Sequence, residues 1–312
     1  MKGPLFYSKI LLFGEYGIIK DSKGLSIPYN FYNGALKVDE HPSEEAVKSN
    51  ESLRRFAAYL EDLQSESTDL VSFQLELMKE DINRGMYFDS SIPQGYGVGS
   101  SGALVAAIYD KYANNKITVL ENLTREKLLQ LKTIFSHMES FFHGKSSGLD
   151  PLNSYLSIPI LINSKDNIEA TGIPSQSTEG KGAVFLLDSG IVGETAPMVN
   201  IFMENLKDQG FRKMLKTQFV KYTDACVENF LGGDMPSLFS NTKKLSRIVL
   251  NNFKPMIPEQ FHGIWQKGID TNDYYLKLCG SGGGGYILGF TQDLEKAKIS
   301  LKDYKLEVVY QF

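Results

Sequence analysis

The sequence predicts an α+β fold in two domains, on three observations. Strand-like and helix-like segments follow one another without the regular strand–helix alternation of a doubly wound sheet. The 312 residues are enough for two ordinary domains. A polar stretch over residues 164–182, rich in Ser, Asn, Asp, Gly and Lys, is the best candidate for a boundary. We therefore predict a first domain over residues 1–178 and a second over 179–312.

Hydrophobic periodicity and turn residues predict the individual elements. In the first domain, strands are predicted over 6–13, 16–20, 70–77 and 152–162, and helices over 43–64, 101–116 and 124–142. Asn33-Gly34 predicts the turn of a hairpin within 23–38. In the second domain, strands are predicted over 183–190, within 274–290 and over 306–312, and helices near 195–231, 235–252, 258–269 and 292–300.

Charge and composition argue against several classes of protein. The formal net charge is −4, whereas proteins that bind nucleic acid or acidic membranes are usually basic. No apolar run reaches the roughly 20 residues that a membrane span needs. Two cysteines, Cys226 and Cys279, in so long a chain suit a reducing compartment. We expect a cytoplasmic protein, a monomer or homodimer, that binds neither nucleic acid nor a membrane.

Alternating glycines and two serines precede an apolar helix in "PQGYGVGSSGALVAA", residues 93–107. Unpaired N–H groups at a helix N-terminus attract anions, and glycines let the backbone curl so that these groups converge. The stretch therefore predicts a phosphate-binding loop, with an ordinary capped turn as the alternative. It also fits G-x-G-x-x-G, but Pro93 stands where a dinucleotide site needs a buried strand. The Walker pattern fails, because Glu139 occupies its first glycine position before Gly144-Lys145-Ser146.

Two carboxylates, Glu139 and Asp150, flank a turn rich in Gly and Ser in "ESFFHGKSSGLDP", residues 139–151. Such a bend can return Asp150 to the neighbourhood of Glu139. Phosphoryl transfer uses two carboxylates with different duties, one near Mg²⁺ and one at the attacking hydroxyl. The alternative is a solvated acidic residue and an Asx-type turn at a helix end.

A second glycine cluster lies between two predicted strands in "KLCGSGGGGYILGF", residues 277–290. Four consecutive glycines are costly in chain entropy, and a tight hairpin needs only one or two. The cluster therefore indicates a backbone that another segment or a phosphate chain approaches closely.

Together the three blocks resemble the GHMP kinase family, in the order in which the family carries them. Residues 93–102 resemble its motif P-x-G-x-G-L-G-S-S-A, with Val98 for leucine and Gly102 for alanine. "HGKSSGLD" is most similar to H-G-x-P-S-G-x-D of mevalonate kinases, with Ser146 for the usual proline. "SKILLFGEYGII" resembles G-K-V-I-L-x-G-E-H-A-V-V, and "KLCGSGGGG" resembles K-L-x-G-A-G-G-G-G.

The resemblance implies a ribosomal protein S5 domain 2-like N-terminal domain, a ferredoxin-like C-terminal domain, and a kinase that uses ATP and Mg²⁺. It implies Asp150 as the catalytic aspartate and Lys9 as the lysine beside it, so these two side chains should touch. Ser101 and Glu139 match the Mg²⁺ ligands. The implied ATP-binding residues are Gly95, Gly97, Val98, Gly99, Ser100, Ser101, Gly102, Gly282 and Gly283.

For the acceptor, the resemblance implies a small-molecule alcohol bound by Glu15, Tyr16, Thr195 and Gly283. Tyr16 stands where mevalonate kinases usually carry a histidine that contacts substrate. Mevalonate is the first choice of acceptor. Another acceptor of the family (phosphomevalonate, a sugar or a homoserine-type alcohol) and a catalytically silent binding protein are the alternatives.

Overall fold

The computed structural model describes residues 4–39, 41–66, 70–118, 123–177 and 179–312. Its strands are β1 (Phe6–Phe13), β2 (Gly24–Val38), β3 (Met86–Ser90), β4 (Ile160–Ser164), β5 (Asn167–Ala170), β6 (Ala183–Asp188), β7 (Tyr275–Leu278), β8 (Tyr286–Thr291) and β9 (Leu306–Gln311). Its helices are α1 (Glu44–Glu66), α2 (Leu75–Asn83), α3 (Ser100–Tyr112), α4 (Arg125–His143), α5 (Leu149–Leu156), α6 (Thr195–Asn205), α7 (Gln209–Met214), α8 (Val220–Leu231), α9 (Met235–Asn252), α10 (His262–Thr271) and α11 (Leu294–Ser300). The predicted α+β class is confirmed.

Two sheets organise these strands. The first has the order β1-β2-β4-β5, with β3 also paired to β2, and the second has the order β7-β8-β6-β9. β6 is central in the second sheet, antiparallel to both β8 and β9. Its continuous apolar run, AVFLL, is fully buried, as expected for a strand covered on both faces.

The chain divides into two compact units, each built from separate segments. Unit 1 comprises the chain up to Lys9, Pro28–Pro93 and Gly99–Ile158. Unit 2 comprises Ile10–Ile27, Gln94–Val98 and Pro159–Phe312. The boundary at 178/179 stays a prediction, and Thr178 lies outside the described residues.

Within unit 1, the buried helix α3 follows directly on the glycine loop that precedes it. α3 is lined by small residues, with Ala103, Ala106 and Ala107 buried, and it packs closely on α5. Small side chains allow two helices to approach closely, and a helix that is apolar on most sides is a core helix. The start of α3 is therefore held rigidly beside the first turn of α5.

Three of the predicted strands are wrong in whole or in part. Residues 16–20 form a 3-10 turn at Gly17–Lys20. Residues 70–77 run into helix α2, whose Met78 and Ile82, four residues apart, are both buried. Residues 152–162 begin inside α5, whose N-terminal turn includes Pro151, and only then form β4.

The predicted hairpin is also wrong, and the polar stretch 164–182, proposed as a domain boundary, is not loop throughout. β2 runs without a turn through Asn33-Gly34, and Gly34 pairs with Ser90 of β3. A Cβ on Gly34 would lie 2.3 Å from the ring of Phe88, so this glycine makes room for a cross-strand aromatic side chain. The polar stretch 164–182 contains strand β5, which pairs with β4.

The remaining predicted elements are confirmed, with shifts of a few residues at their ends. α4 begins where Thr124 predicted it, because the Thr124 side chain accepts a hydrogen bond from the Lys127 N–H. The helical stretch predicted near 195–231 is interrupted only between α6 and α7, because a π-helical turn, Leu215–Phe219, joins α7 to α8. Among the described residues, no helix is both long and apolar enough to cross a membrane.

Candidate active site

The glycine loop before α3 has the curled backbone that its sequence predicts. Gly95, Gly97 and Gly99 have φ values of 75°, 78° and 83°, a region that favours glycine. Gly99 is the N-cap residue of α3, so Ser100, Ser101 and Gly102 form its first turn. The first N–H groups of a helix lack partners within the helix, so this turn is suited to bind an anion.

Lys9 and Asp150 are in contact within unit 1, as the family resemblance implies. The Lys9 Nζ lies 2.8 Å from the Asp150 Oδ1. The Lys9 side chain on β1 is only 4% exposed, whereas that of Asp150 in the first turn of α5 is 38% exposed. The carboxylate can therefore contact a ligand from solvent while the ammonium holds it in place.

Two glycines at the start of α3 leave space for this ion pair. A Cβ on Gly99 would lie 3.0 Å from the Lys9 Cγ. A Cβ on Gly102 would lie 2.7 Å from the Asp150 carbonyl carbon. The anion-binding turn and the ion pair are thus adjacent because neither glycine carries a side chain.

Glu139 lies in the last turns of α4, with both carboxylate oxygens hydrogen-bonded. Ser101 Oγ donates to Oε1 at 2.9 Å, and Ser146 Oγ donates a short hydrogen bond to Oε2. Burial, and secondarily the charge of Asp150, raise the pKa of Glu139 from 4.5 to about 7, although both serines and Lys9 oppose that shift. A nearby cation would favour its ionised form.

The Ser101 hydroxyl and the Glu139 carboxylate fit Mg²⁺ when a nucleotide supplies further ligands. Both are hard oxygen donors, and Mg²⁺ in kinases takes one or two protein groups together with phosphates and water. Within the described ranges, no group of three or more His, Cys, Asp and Glu side chains could hold a metal by itself. Two protein oxygens would leave the other coordination positions of the ion to phosphate oxygens and water.

In unit 2, Glu15 forms a buried ion pair with Lys277. The Lys277 Nζ lies 2.6 Å from the Glu15 Oε1, and both side chains are about 5% exposed. The same Nζ donates to the Leu278 carbonyl at 2.8 Å. Lys277 opens the motif "KLCGSGGGG" but is not among the predicted site residues, although a lysine in the otherwise apolar strand "YLKL" is a signal.

Tyr16 packs among aromatic rings of unit 2. Its hydroxyl donates to the Ser281 carbonyl at 2.6 Å, and its ring centroid lies 4.7 Å from that of Phe202. Burial, together with the charge of Glu15, raises the pKa of Tyr16, so the phenol is neutral at physiological pH. Thr195, the first residue of α6, is exposed, and its Oγ1 accepts a hydrogen bond of 3.4 Å from Ser281.

Within unit 2, the second glycine cluster, in residues 277–290, contacts part of the glycine loop that precedes α3. A Cβ on Gly97 would lie 2.5 Å from the Cys279 carbonyl oxygen, and one on Gly285 would lie 2.5 Å from the Tyr96 Cα. The close backbone approach predicted for residues 280–285 is therefore present, with another protein segment. The Gly283 N–H donates to the Met256 carbonyl at 2.7 Å, so this amide is already engaged.

The comparisons with known proteins agree with these motifs. Residues 53–157 match the family model for the GHMP kinases N terminal domain. These residues are therefore similar to a GHMP kinase N-terminal domain. The predicted resemblance to the GHMP kinase family is thereby confirmed. No curated protein sequence matches this chain significantly.

Solved structures of GHMP kinases share the fold of the whole chain. L. major mevalonate kinase, solved with R-mevalonate, is 18% identical, covers 96% of this chain and 91% of its own, and gives a TM-score of 0.62. Streptococcus pneumoniae phosphomevalonate kinase is 13% identical, with 99% and 98% covered and a TM-score of 0.64. Lactococcus lactis galactokinase, solved with galactose, is 10% identical, with 98% and 92% covered and a TM-score of 0.62. The GHMP kinase fold is confirmed.

Proposed function

We propose that this GHMP kinase transfers the γ-phosphoryl group of ATP to the primary hydroxyl of a small alcohol, with mevalonate as the first choice. The contact between Lys9 and Asp150, 2.8 Å long, carries this proposal. An ion pair beside an anion-binding helix start is what direct transfer to an alcohol requires, because positioning and charge dominate that chemistry.

Asp150 is the group that orients the acceptor hydroxyl. The oxygen of the alcohol attacks the γ-phosphorus, the bond to the β–γ bridging oxygen breaks, and the hydroxyl proton passes to the Asp150 carboxylate. Lys9 holds the Asp150 carboxylate in place and offsets negative charge that develops at the attacking oxygen. The exposed fraction of Asp150 leaves room for the alcohol, whereas buried Lys9 has no freedom to move away.

The ATP phosphates are assigned to the curled glycine loop and the first turn of α3. The residues proposed to contact ATP are Gly95, Gly97, Val98, Gly99, Ser100, Ser101, Gly102, Gly282 and Gly283. Ser101 and Glu139 would hold Mg²⁺, which neutralises charge on the β- and γ-phosphates. Their hydrogen bond of 2.9 Å already places the two oxygens together.

The acceptor is assigned to Glu15, Tyr16, Thr195 and Gly283, and mevalonate is preferred on the motif resemblance. The structural neighbours act on mevalonate, phosphomevalonate and galactose, as their names state. Another GHMP acceptor is therefore the second candidate. We also propose that the protein acts in the cytoplasm as a monomer or homodimer.

A panel of alcohols assayed with ATP and Mg²⁺ tests the proposal. We expect ATP consumption with mevalonate and a product phosphorylated at the primary hydroxyl. Asp150→Asn should lower the rate at least about 100-fold while ATP affinity stays near normal. Asp62→Asn, which changes an exposed carboxylate on α1, serves as the control.

Two results would contradict parts of the proposal. An unchanged rate in Asp150→Asn removes Asp150 from its assigned role. ATP binding without turnover on any alcohol of the panel supports a silent binding protein instead.

A further inference from the structure

The turn between α4 and α5 is tied to α4 by Ser146. The Ser136 Oγ donates to the Ser146 carbonyl at 2.5 Å, which anchors the backbone of the turn. The Ser146 hydroxyl then donates to the Glu139 Oε2 and accepts from the Gly148 N–H, 3.0 Å away. One serine therefore joins the turn, the helix before it and the buried carboxylate.

Glu139 needs a fixed orientation for its proposed role. It is only 4% exposed, so water cannot take the place of a lost hydrogen-bond donor at low cost. Ser101 occupies Oε1 and Ser146 occupies Oε2. Ser101 is itself a proposed metal ligand, so its hydroxyl oxygen would be engaged with the cation. Ser146 is then the donor that remains to hold the carboxylate.

The residue type at position 146 is what makes this contact possible. The segment "HGKSSGLD" resembles a pattern with proline at this position, and proline has no side-chain donor. The substitution therefore adds a hydroxyl group in contact with Glu139. The hydroxyl of Ser140, by contrast, donates to the Ser136 carbonyl of its own helix at 2.7 Å.

We propose that Ser146 is a positioning residue for the metal–nucleotide complex, acting through its hydrogen bond to Glu139. This rests on the proposed function, because it takes Glu139 as a metal ligand. Donors of this kind fix the orientation of ligating carboxylates, and their loss typically weakens metal binding roughly 10- to 100-fold. Here one of two donors is lost, so we expect the lower end of that range.

The test measures metal binding directly and needs no acceptor. Mn²⁺ replaces Mg²⁺, and free Mn²⁺ is followed by electron paramagnetic resonance in protein saturated with a non-hydrolysable ATP analogue. Ser146→Ala should weaken Mn²⁺ binding about tenfold, whereas Ser146→Thr, which keeps the hydroxyl, should bind close to wild type. Ser140→Ala is the matched control, and Ser101→Ala shows the effect of losing a ligand itself.

Ser146→Pro gives a second, independent variant should Ser146→Ala fold poorly. It restores the residue of the resembled pattern but carries no hydroxyl, so it should bind Mn²⁺ as weakly as Ser146→Ala. Wild-type affinity in either variant, or equal loss in Ser146→Thr, would overturn the proposal. If wild-type protein binds no nucleotide at all, the proposed function fails. If it binds nucleotide and Mn²⁺ but Ser146→Ala changes nothing, only the positioning role fails.

Discussion

Replacing Lys277 with methionine should destabilise the protein far more than the loss of an ordinary ion pair. The Glu15 carboxylate would be left in a site about 6% exposed, with its cation removed. Breaking a buried pair by deleting one partner typically costs about 3–5 kcal/mol, because the remaining buried charge has lost its counter-ion. Methionine has a similar length, so lost packing is a small part of the effect.

The expected change in melting temperature follows from the chain length. Unfolding entropy is about 2.1 cal/mol/K per residue, or about 0.66 kcal/mol/K for 312 residues. A loss of about 3–5 kcal/mol then lowers Tm by about 5–8 °C, measurable by calorimetry or circular dichroism.

Two controls decide whether the buried charge is the cause. Lys298→Met breaks an exposed pair with Glu295 at 2.8 Å, and exposed pairs are worth about 0–1 kcal/mol, so Tm should fall by less than about 2 °C. The double variant Glu15→Gln with Lys277→Met removes both charges and should recover much of the loss. A Lys277→Met variant no less stable than Lys298→Met would refute the reasoning.

Two further predictions concern Glu139 and the turn after α4. Between pH 4.5 and about 7, the folded state keeps a proton on Glu139 that the unfolded state releases. The contribution of Glu139 to the free energy of unfolding is therefore fully present below pH 4.5 and is lost as the pH rises through about 7. Urea unfolding of metal-free protein at about pH 5 and about pH 8 should show a smaller stability difference in Glu139→Gln than in wild type, and equal differences would contradict this origin. Gly148→Ala places a Cβ 2.1 Å from the Lys132 carbonyl oxygen, whereas Gly144 has the same φ of 73° and open space around it. Gly148→Ala should therefore lower the free energy of unfolding by about 1–3 kcal/mol more than Gly144→Ala does. Equal unfolding free energies for the two variants would show that the clash is relieved.

Local patterns predicted the long helices well, but they indicated strands where α2 and most of α5 form. α4 and α9 have long amphipathic repeats and N-cap residues, Thr124 and Asp234, that can be read without knowledge of their neighbours. The short apolar runs at 70–77 and 152–162 fit a strand as well as a buried helix. Their outcome depended on the core against which Met78 and Leu152 pack, which periodicity does not contain.

The sequence by itself determined the glycine loop, the start of α3 and the types of residue needed for phosphoryl transfer, because these depend on backbone freedom and side-chain chemistry at fixed spacing. Only the tertiary structure decided that Lys277 pairs with Glu15 and that Ser146 holds Glu139. Lys277 and Glu15 are far apart in the chain, and the partner of a buried charge is set by which segments pack together. The proposed role of the Ser146 hydroxyl depends on packing in the same way, because burial of Glu139 makes each hydrogen-bond donor to it costly to lose.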